Sequence, residues 1–157
     1  MWVAIVGSRT FGACLTRHSL PPDEAHVQVC RMMKAGRLMQ NIVTRAAKEP
    51  DFEGIVTGDA RDGADDIAQR TCNLLGVTCQ VMRVRSGMEP FHVRAKARNQ
   101  KVVDRADRMF ALMGPGPDSR GTSDAVERAV RKGIPVAVFR TSTGLWESLN
   151  DSSKPST

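Results

Sequence analysis

The chain contains no tyrosine and few other aromatic residues: two tryptophans and five phenylalanines among 157 residues. Proteins that bind single-stranded nucleic acid stack its bases on aromatic side chains. Only Phe11, Phe91 and Trp146 are candidates for exposed aromatic residues. This scarcity of stacking platforms ranks single-stranded DNA binding behind other functions.

The four cysteines do not have the spacing of a zinc site. Cys14, Cys30, Cys72 and Cys79 form no C-x-x-C pair and have no histidine pattern nearby, so we expect neither a metal nor a resident cofactor. Cys72 and Cys79 lie in apolar segments, which favours buried, reduced thiols and a cytoplasmic location.

The sequence also lacks long apolar runs. We expect no signal peptide and no membrane partner, because nothing approaches the length of a membrane span and the first residues have the pattern of a short strand. The net charge is +6 and the isoelectric point is about 9.6. This balance favours anionic partners such as nucleotides or nucleic acid, although a solvated basic face explains it equally well.

Short apolar runs alternate with amphipathic segments along the chain. The predicted strands are 2–6, 54–57, 77–84, 109–113 and 134–139, and the predicted helices are 23–48, 64–75, 93–106 and 123–132. This alternation predicts an α/β fold with a Rossmann-like, doubly wound, mostly parallel sheet of five or more strands and helices on both faces. We expect residues 1–140 to form this domain and residues 141–157 to form a polar, partly disordered tail, from which Leu145 and Trp146 could dock on the body.

Ligands of doubly wound sheets bind beyond the carboxyl ends of the strands, where the strand order reverses. In the loop after the first strand, Gly7 permits a turn, Ser8 offers a hydroxyl and an amide, and Arg9 brings a cation suited to phosphate. Neither a Walker A loop nor a G-x-G-x-x-G motif is present. A tight turn with a surface arginine is the alternative interpretation.

The loop after the second strand is a polar turn bracketed by Gly58 and Gly63 that leads directly into a helix. Glycine lets a ligand approach the backbone closely, and a helix N-terminus attracts anions. Asp59 or Asp65 is a candidate to accept hydrogen bonds from ribose hydroxyls. For Asp65 we prefer the simpler role of an acidic residue in the first helical turn, which stabilises a helix by about 0.3–1 kcal/mol.

The loop after the fourth strand, residues 114–122, is rich in glycine and precedes another helix. Its unpaired amides and the positive end of the helix dipole predict an anion site. Ser119 and Arg120 add side-chain donors, and Thr122 is the predicted N-cap. Asp124 and Glu127 have the positions of ordinary acidic residues early in this helix.

Four segments in this order resemble the SLOG superfamily, which joins the DprA-type and Lonely Guy-type Rossmann-like proteins, and above all its YspA-type branch. They are Gly7–Phe11, Gly58–Asp65, Arg98–Asn99 and Ser119–Thr122, the last followed by Ala129 and Gly133–Val136. The resemblance covers about residues 2–139 and implies a nucleotide or nucleotide-derived ligand, bound by a sensor or a sequestering protein of the kind found in phages and in defence. Relatives often dimerise, so it also implies a homodimer. Residues 27–47 are the candidate interface, and the alternative is that they only cover the sheet.

The Lonely Guy branch hydrolyses the N-glycosidic bond of nucleoside monophosphates with a glutamate three residues after the threonine of its glycine-rich loop. Here that position is Ala125, Asp124 lies one residue earlier, and Arg98 matches an arginine near the ligand. Ligand binding is therefore the first expectation. Hydrolysis is the alternative, with Arg98 and Asp124 as catalytic residues, or with Glu127 or Asp65 supplying the carboxylate. Single-stranded DNA binding, as in DprA-type relatives, is third. The predicted ligand-binding residues are Gly7, Ser8, Arg9, Gly58, Asp59, Arg61, Gly63, Asp65, Arg98, Asn99, Gly114, Gly116, Ser119, Arg120, Gly121 and Thr122.

Overall fold

The computed structural model describes residues 1–12 and 22–150, with backbone alone for 22–29; Cys14 and residues 151–157 of the predicted tail lie outside this range. The strands are β1 (Trp2–Gly7), β2 (Gly54–Thr57), β3 (Cys79–Val81), β4 (Arg108–Met113), β5 (Val136–Arg140) and β6 (Leu145–Leu149). The helices are α1 (Pro22–Ala47), α2 (Ala64–Leu75), α3 (Phe91–Arg105) and α4 (Arg120–Lys132). None of these helices is long and apolar enough to cross a bilayer.

The six strands form one sheet in the order β3-β2-β1-β4-β5-β6. All neighbouring strands are parallel except β5 and β6, which are antiparallel. The chain moves outward from β1 to β3 on one side and from β4 to β6 on the other, so the strand order reverses between β1 and β4. The prediction of a Rossmann-like α/β fold is therefore confirmed.

Alternate residues of the inner strands face two separate hydrophobic cores. Val3 and Ile5 pack with α1 and α2, whereas Ala4 and Val6 pack with α3 and α4 on the opposite face. This division follows from the two-residue period of a strand. Because helices cover both faces, β1 is apolar throughout, and its interior residues are almost completely buried.

Two predicted boundaries, the start of α4 and the end of β3, differ from the observed ones by three residues, and the others differ by at most two. Helix α4 begins three residues earlier than predicted, because Ser119 rather than Thr122 is the N-cap: the Ser119 side chain accepts a hydrogen bond from the Thr122 amide at 3.2 Å. Strand β3 has three residues instead of the predicted eight. It lies at the sheet edge and pairs only with β2, so no second neighbour prolongs it.

The prediction of a tail after residue 140 is wrong for residues 145–149, which form β6. Gly144 adopts a left-handed backbone conformation with a φ of 68°, and the chain reverses there to pair with β5. The Trp146 ring lies 5.2 Å from the Phe139 ring and 5.9 Å from the Phe110 ring, which confirms the expected docking of this segment. Aromatic packing and strand pairing together outweigh the polar composition of the segment.

The aromatic and cysteine predictions hold only in part. Phe91 and Trp146 are exposed, but Phe11 is buried in the core beside α1 and α2. Cys72 is buried and Cys79 is half-buried, and both are free thiols. Phe11 is buried because the loop after β1 folds back against the sheet instead of projecting into solvent.

Replacement of Gly7 by alanine should destabilise the protein strongly. An added Cβ would overlap the Leu112 carbonyl and lie 2.5 Å from the Ala64 Cβ, so β4 and α2 would both have to move away from β1. We expect Gly7→Ala to lower the free energy of unfolding by at least about 1–3 kcal/mol in urea titrations. The control is Gly36→Ala in α1, where a Cβ meets nothing within 4 Å and should stabilise the helix. Equal stability of the two variants would contradict this packing.

Candidate functional site

A cavity of about 830 Å³ lies at the carboxyl ends of β1, β2 and β4. Its walls come from the loops after β1, β2 and β4, from one face of α3 and from the first residues of α4. This is the point where the strand order reverses, the usual position of a ligand in doubly wound sheets. A smaller cavity of about 570 Å³ lies beside α1 and strands β1, β4, β5 and β6, and none of these loops lines it.

Ser8 joins three of the segments around the cavity. Its amide donates to the Leu112 carbonyl at 3.0 Å, and its carbonyl accepts from the Ala64 amide at 3.3 Å. Its hydroxyl accepts a hydrogen bond from the Gly114 amide at 2.6 Å and lies 3.2 Å from the Thr10 hydroxyl. The Ser8 amide, expected to face a ligand, is therefore occupied within the protein.

Two of the predicted site glycines allow loops to pack on one another. A Cβ at Gly63, where φ is 77°, would overlap the Ser8 carbonyl, and a Cβ at Gly114 would overlap the Thr10 hydroxyl. Neither residue lines the cavity. Their small size thus allows backbone segments to pack closely on one another, whereas from the sequence we expected these glycines to let a ligand approach the backbone.

Arg98 lines the cavity and is already paired with carboxylates. Its Nη1 lies 2.6 Å from Asp59 Oδ1 and 4.0 Å from Asp65 Oδ2. Asp59 also accepts a hydrogen bond from the Val84 amide at 3.0 Å. A Cβ at Gly58 would lie 2.5 Å from Asp65 Oδ2 and 2.8 Å from Arg98 Nη1, so only glycine leaves room for this cluster. Arg98 is thus a neutralised cation at the cavity wall.

Asp65 stands in the first turn of α2, as expected, but it also lines the cavity and is only 5% exposed. Its Oδ2 accepts a hydrogen bond from the Ala60 amide at 3.3 Å. Its Oδ1 lies 3.4 Å from the Thr57 hydroxyl, whose single proton is directed to the Ile5 carbonyl at 2.7 Å. Burial raises the pKa of Asp65 to about 6, although the charge of Arg98 opposes the rise.

Backbone donors surround the mouth of the cavity. The amides of Arg9, Thr10 and Gly121 donate no hydrogen bond to any described residue, and all three residues line the cavity. The first turn of α4 carries no acidic residue. Asn99, buried on α3, donates to the Gly121 carbonyl at 3.2 Å and thereby holds the start of α4 in place. The arrangement can accept an anion without displacing a carboxylate of the protein.

Asp124, the predicted catalytic carboxylate, does not line the cavity. It accepts hydrogen bonds from Arg128 Nε at 2.9 Å and from Asn99 Nδ2 at 3.0 Å. Burial disfavours its ionised form, but these hydrogen bonds outweigh that effect and lower the pKa of Asp124. Ala125 lines the cavity in its place. The geometry therefore favours Asp65 over Asp124 as a carboxylate that could meet a ligand.

The sixteen predicted ligand-binding residues divide into two groups. Those that line the cavity are Gly7, Ser8, Arg9, Gly58, Asp59, Arg61, Asp65, Arg98, Asn99, Ser119, Gly121 and Thr122. Gly63, Gly114, Gly116 and Arg120 do not line it. Arg9 and Arg61 are exposed at the cavity and form no ion pair with any part of the chain that the structure describes. Within the same ranges, no group of three His, Cys, Asp or Glu side chains could hold a metal ion.

Sequence reasoning missed the apolar end of the cavity, formed by Val84, Phe91 and Ala95. These residues follow β3 and belong to the segment that leads into α3 and to the first turns of that helix. The loop after β3 opens at the same sheet edge as the other three loops, and this position is the signal that would have identified them.

The contribution of Asp65 to the stability of the protein should fall as the pH rises from about 4 to about 6. The native state holds the Asp65 proton up to a pKa of about 6, whereas the unfolded chain loses it at 3.8, so raising the pH favours unfolding. The difference between these two pKa values corresponds to about 3 kcal/mol in the free energy of unfolding. We expect Asp65→Asn to abolish this fall in urea titrations across the pH range. Asp66→Asn, in the same helical turn but outside the cavity, should keep it; a fall that persists in Asp65→Asn would contradict the assignment.

Comparison with known proteins identifies no relative of this chain. No protein-family model, no curated protein and no solved structure matches it significantly. The resemblance of the four segments to the SLOG superfamily therefore stays a prediction. A function has to be inferred from the cavity itself.

Proposed function

We propose that the chain binds a nucleotide or a nucleotide-derived small molecule, with the phosphate at the N-terminus of α4. One observation carries this proposal: Gly121, at the acid-free start of α4, lines the cavity at the switch point together with Arg9 and Thr10, and the amides of these three residues donate no hydrogen bond to any described residue. Backbone amides at a helix N-terminus are suited to phosphate oxygens. The exposed guanidinium groups of Arg9 and Arg61 add positive charge there.

The start of α2 is less suited to an external anion than the start of α4. Helix α2 carries Asp65 and Asp66 in its first turn, and the Asp65 carboxylate already accepts the Ala60 amide. The carboxylates of this region instead suit donors such as ribose hydroxyls. A carboxylate has about four acceptor positions, and Asp59 uses one on each oxygen, for Arg98 and for the Val84 amide. Asp59 can therefore accept a further hydrogen bond from a sugar.

We further propose that the chain is a SLOG-type protein of the YspA branch, acting as a sensor or sequestering protein and forming a homodimer. The support is positional. Residues from each of the four segments that carry the resemblance line one cavity, and Arg98 and Asn99 connect the loop after β2 with the start of α4.

A pair of substitutions at Gly121 tests phosphate binding. A Cβ at Gly121 would meet nothing within 4 Å, so we expect both Gly121→Asp and Gly121→Asn to fold. The aspartate places a negative charge where the phosphate is proposed, and the asparagine has the same shape without the charge. We expect nucleoside 5′-monophosphates to raise the melting temperature of the wild type and of Gly121→Asn, and to bind Gly121→Asp at least about tenfold more weakly.

Calorimetric titration measures the affinities in that comparison. Equal binding by Gly121→Asp and Gly121→Asn would place the phosphate elsewhere. Absence of any thermal shift or heat with the wild type would overturn the proposed function as a whole.

A second candidate function is hydrolysis of the N-glycosidic bond of a nucleoside monophosphate. The observation that favours it is the buried Asp65 carboxyl at the cavity wall, with a pKa of about 6. A carboxyl group that exchanges its proton near neutral pH is suited to general acid or base catalysis, which contributes about 10²–10⁴-fold to a rate.

Chromatography for free base after incubation with nucleoside monophosphates tests this candidate. We expect Asp65→Asn to release base about 10²-fold more slowly than the wild type, and Asp124→Asn to retain most of the activity because Asp124 does not line the cavity. No release by the wild type at high enzyme concentration would eliminate hydrolysis and leave the binding proposal standing.

A further inference from the structure

The cavity has a second, apolar end that a phosphate would not occupy. Phe91 opens α3 directly after Pro90 and is 56% exposed, although it is a large aromatic residue. All seven aromatic residues lie within the described ranges, and Phe91 alone among them lines this cavity. Val84 and Ala95 line the cavity as well. This end is therefore an apolar wall with an aromatic ring.

One stripe of α3 connects the apolar end to the polar end. Phe91, Ala95, Asn99 and Val102 all line the cavity and recur at helical spacing on one face. At 1.5 Å per residue, Phe91 is about 12 Å along the helix axis from Asn99, which holds the start of α4 through the Gly121 carbonyl. A ligand that occupies both ends must extend well beyond its phosphate.

The Phe91 ring is held in position by a fixed arginine. The Arg94 guanidinium lies 5.7 Å from the ring centroid. Its Nε donates to the Glu89 carbonyl at 3.0 Å, and its Nη1 donates to the Arg85 carbonyl at 2.8 Å. Ion–ring attraction of this kind orients an aromatic side chain. A pre-positioned ring loses little conformational entropy when a ligand stacks on it.

We propose that Phe91 is the stacking platform for the base of the bound nucleotide, so that the ligand is recognised at two ends: its phosphate by the start of α4 and its aromatic heterocycle by Phe91. This inference rests on the proposed function and adds to it. It excludes sugar phosphates without a base as good ligands. Stacking tolerates every base because each has a π-face, so the platform selects for the presence of a base and not for its identity.

Binding of base-containing and base-free probes to matched variants tests this proposal. The probes are the adenosine, guanosine, cytidine and uridine 5′-monophosphates and ribose 5-phosphate. The variants are Phe91→Ala, Phe91→Trp, which keeps an aromatic face, and Leu74→Ala, a control at an exposed apolar residue of α2 outside the cavity. Melting temperatures without ligand confirm that each variant is folded.

We expect the wild type to bind at least one nucleoside monophosphate at least about fivefold more tightly than ribose 5-phosphate. Phe91→Ala should remove that advantage, since stacking on an aromatic residue contributes about 1–3 kcal/mol per base. Ribose 5-phosphate should bind Phe91→Ala and the wild type equally, and Phe91→Trp and Leu74→Ala should behave as the wild type.

The outcomes separate this inference from the proposed function. A nucleotide preference that survives in Phe91→Ala, or an equal loss of both kinds of probe, overturns the role of Phe91 while the phosphate site stands. No binding of either kind of probe to the wild type overturns the proposed function and this inference together.

Discussion

The hydrogen bonds of Ser8 are the interaction on which the rest of the site depends. This one buried residue connects the end of β1 to the Leu112 carbonyl of β4, to the first amide of α2 and to the Gly114 amide of the loop before α4. The amides of Arg9 and Thr10 next to it donate to no described residue, and both residues line the cavity. Removing a backbone N–H or C=O group from water without a hydrogen-bond partner raises the free energy of the folded state. Ser8 supplies partners for such groups where three loops meet.

The ion cluster of Arg98, Asp59 and Asp65 has the corresponding role on the other side of the cavity. It joins α3 to the loop after β2, and Asn99 extends the connection to α4. A buried cation without a partner would be strongly destabilising. The cluster leaves the unpaired backbone donors and the exposed Arg9 and Arg61 as the groups most available to an anion. The arginine that holds the site together and the arginines available to an anion are therefore different residues.

The fold was predictable from sequence because its signals are local. Apolar runs such as Met109–Met113 and left-handed caps such as Gly76 and Gly133 mark strands and helix ends without reference to distant contacts. The loops of the site were predictable for the same reason, since glycine and polar residues follow each inner strand. Strand β6 escaped prediction because its pairing with β5 and the packing of Trp146 on Phe110 and Phe139 are tertiary contacts.

The loops after β1, β2 and β4 could be assigned to the site from the sequence alone, because parallel strands place all their carboxyl ends on one edge of the sheet. The role of each residue in those loops depends on tertiary contacts. Gly63 and Gly114 serve packing between loops, Asp65 is a buried acid, and Phe91 joins the site from a segment without a motif. The physical reason is that burial and pairing depend on neighbours more than thirty residues away, which local sequence patterns do not specify.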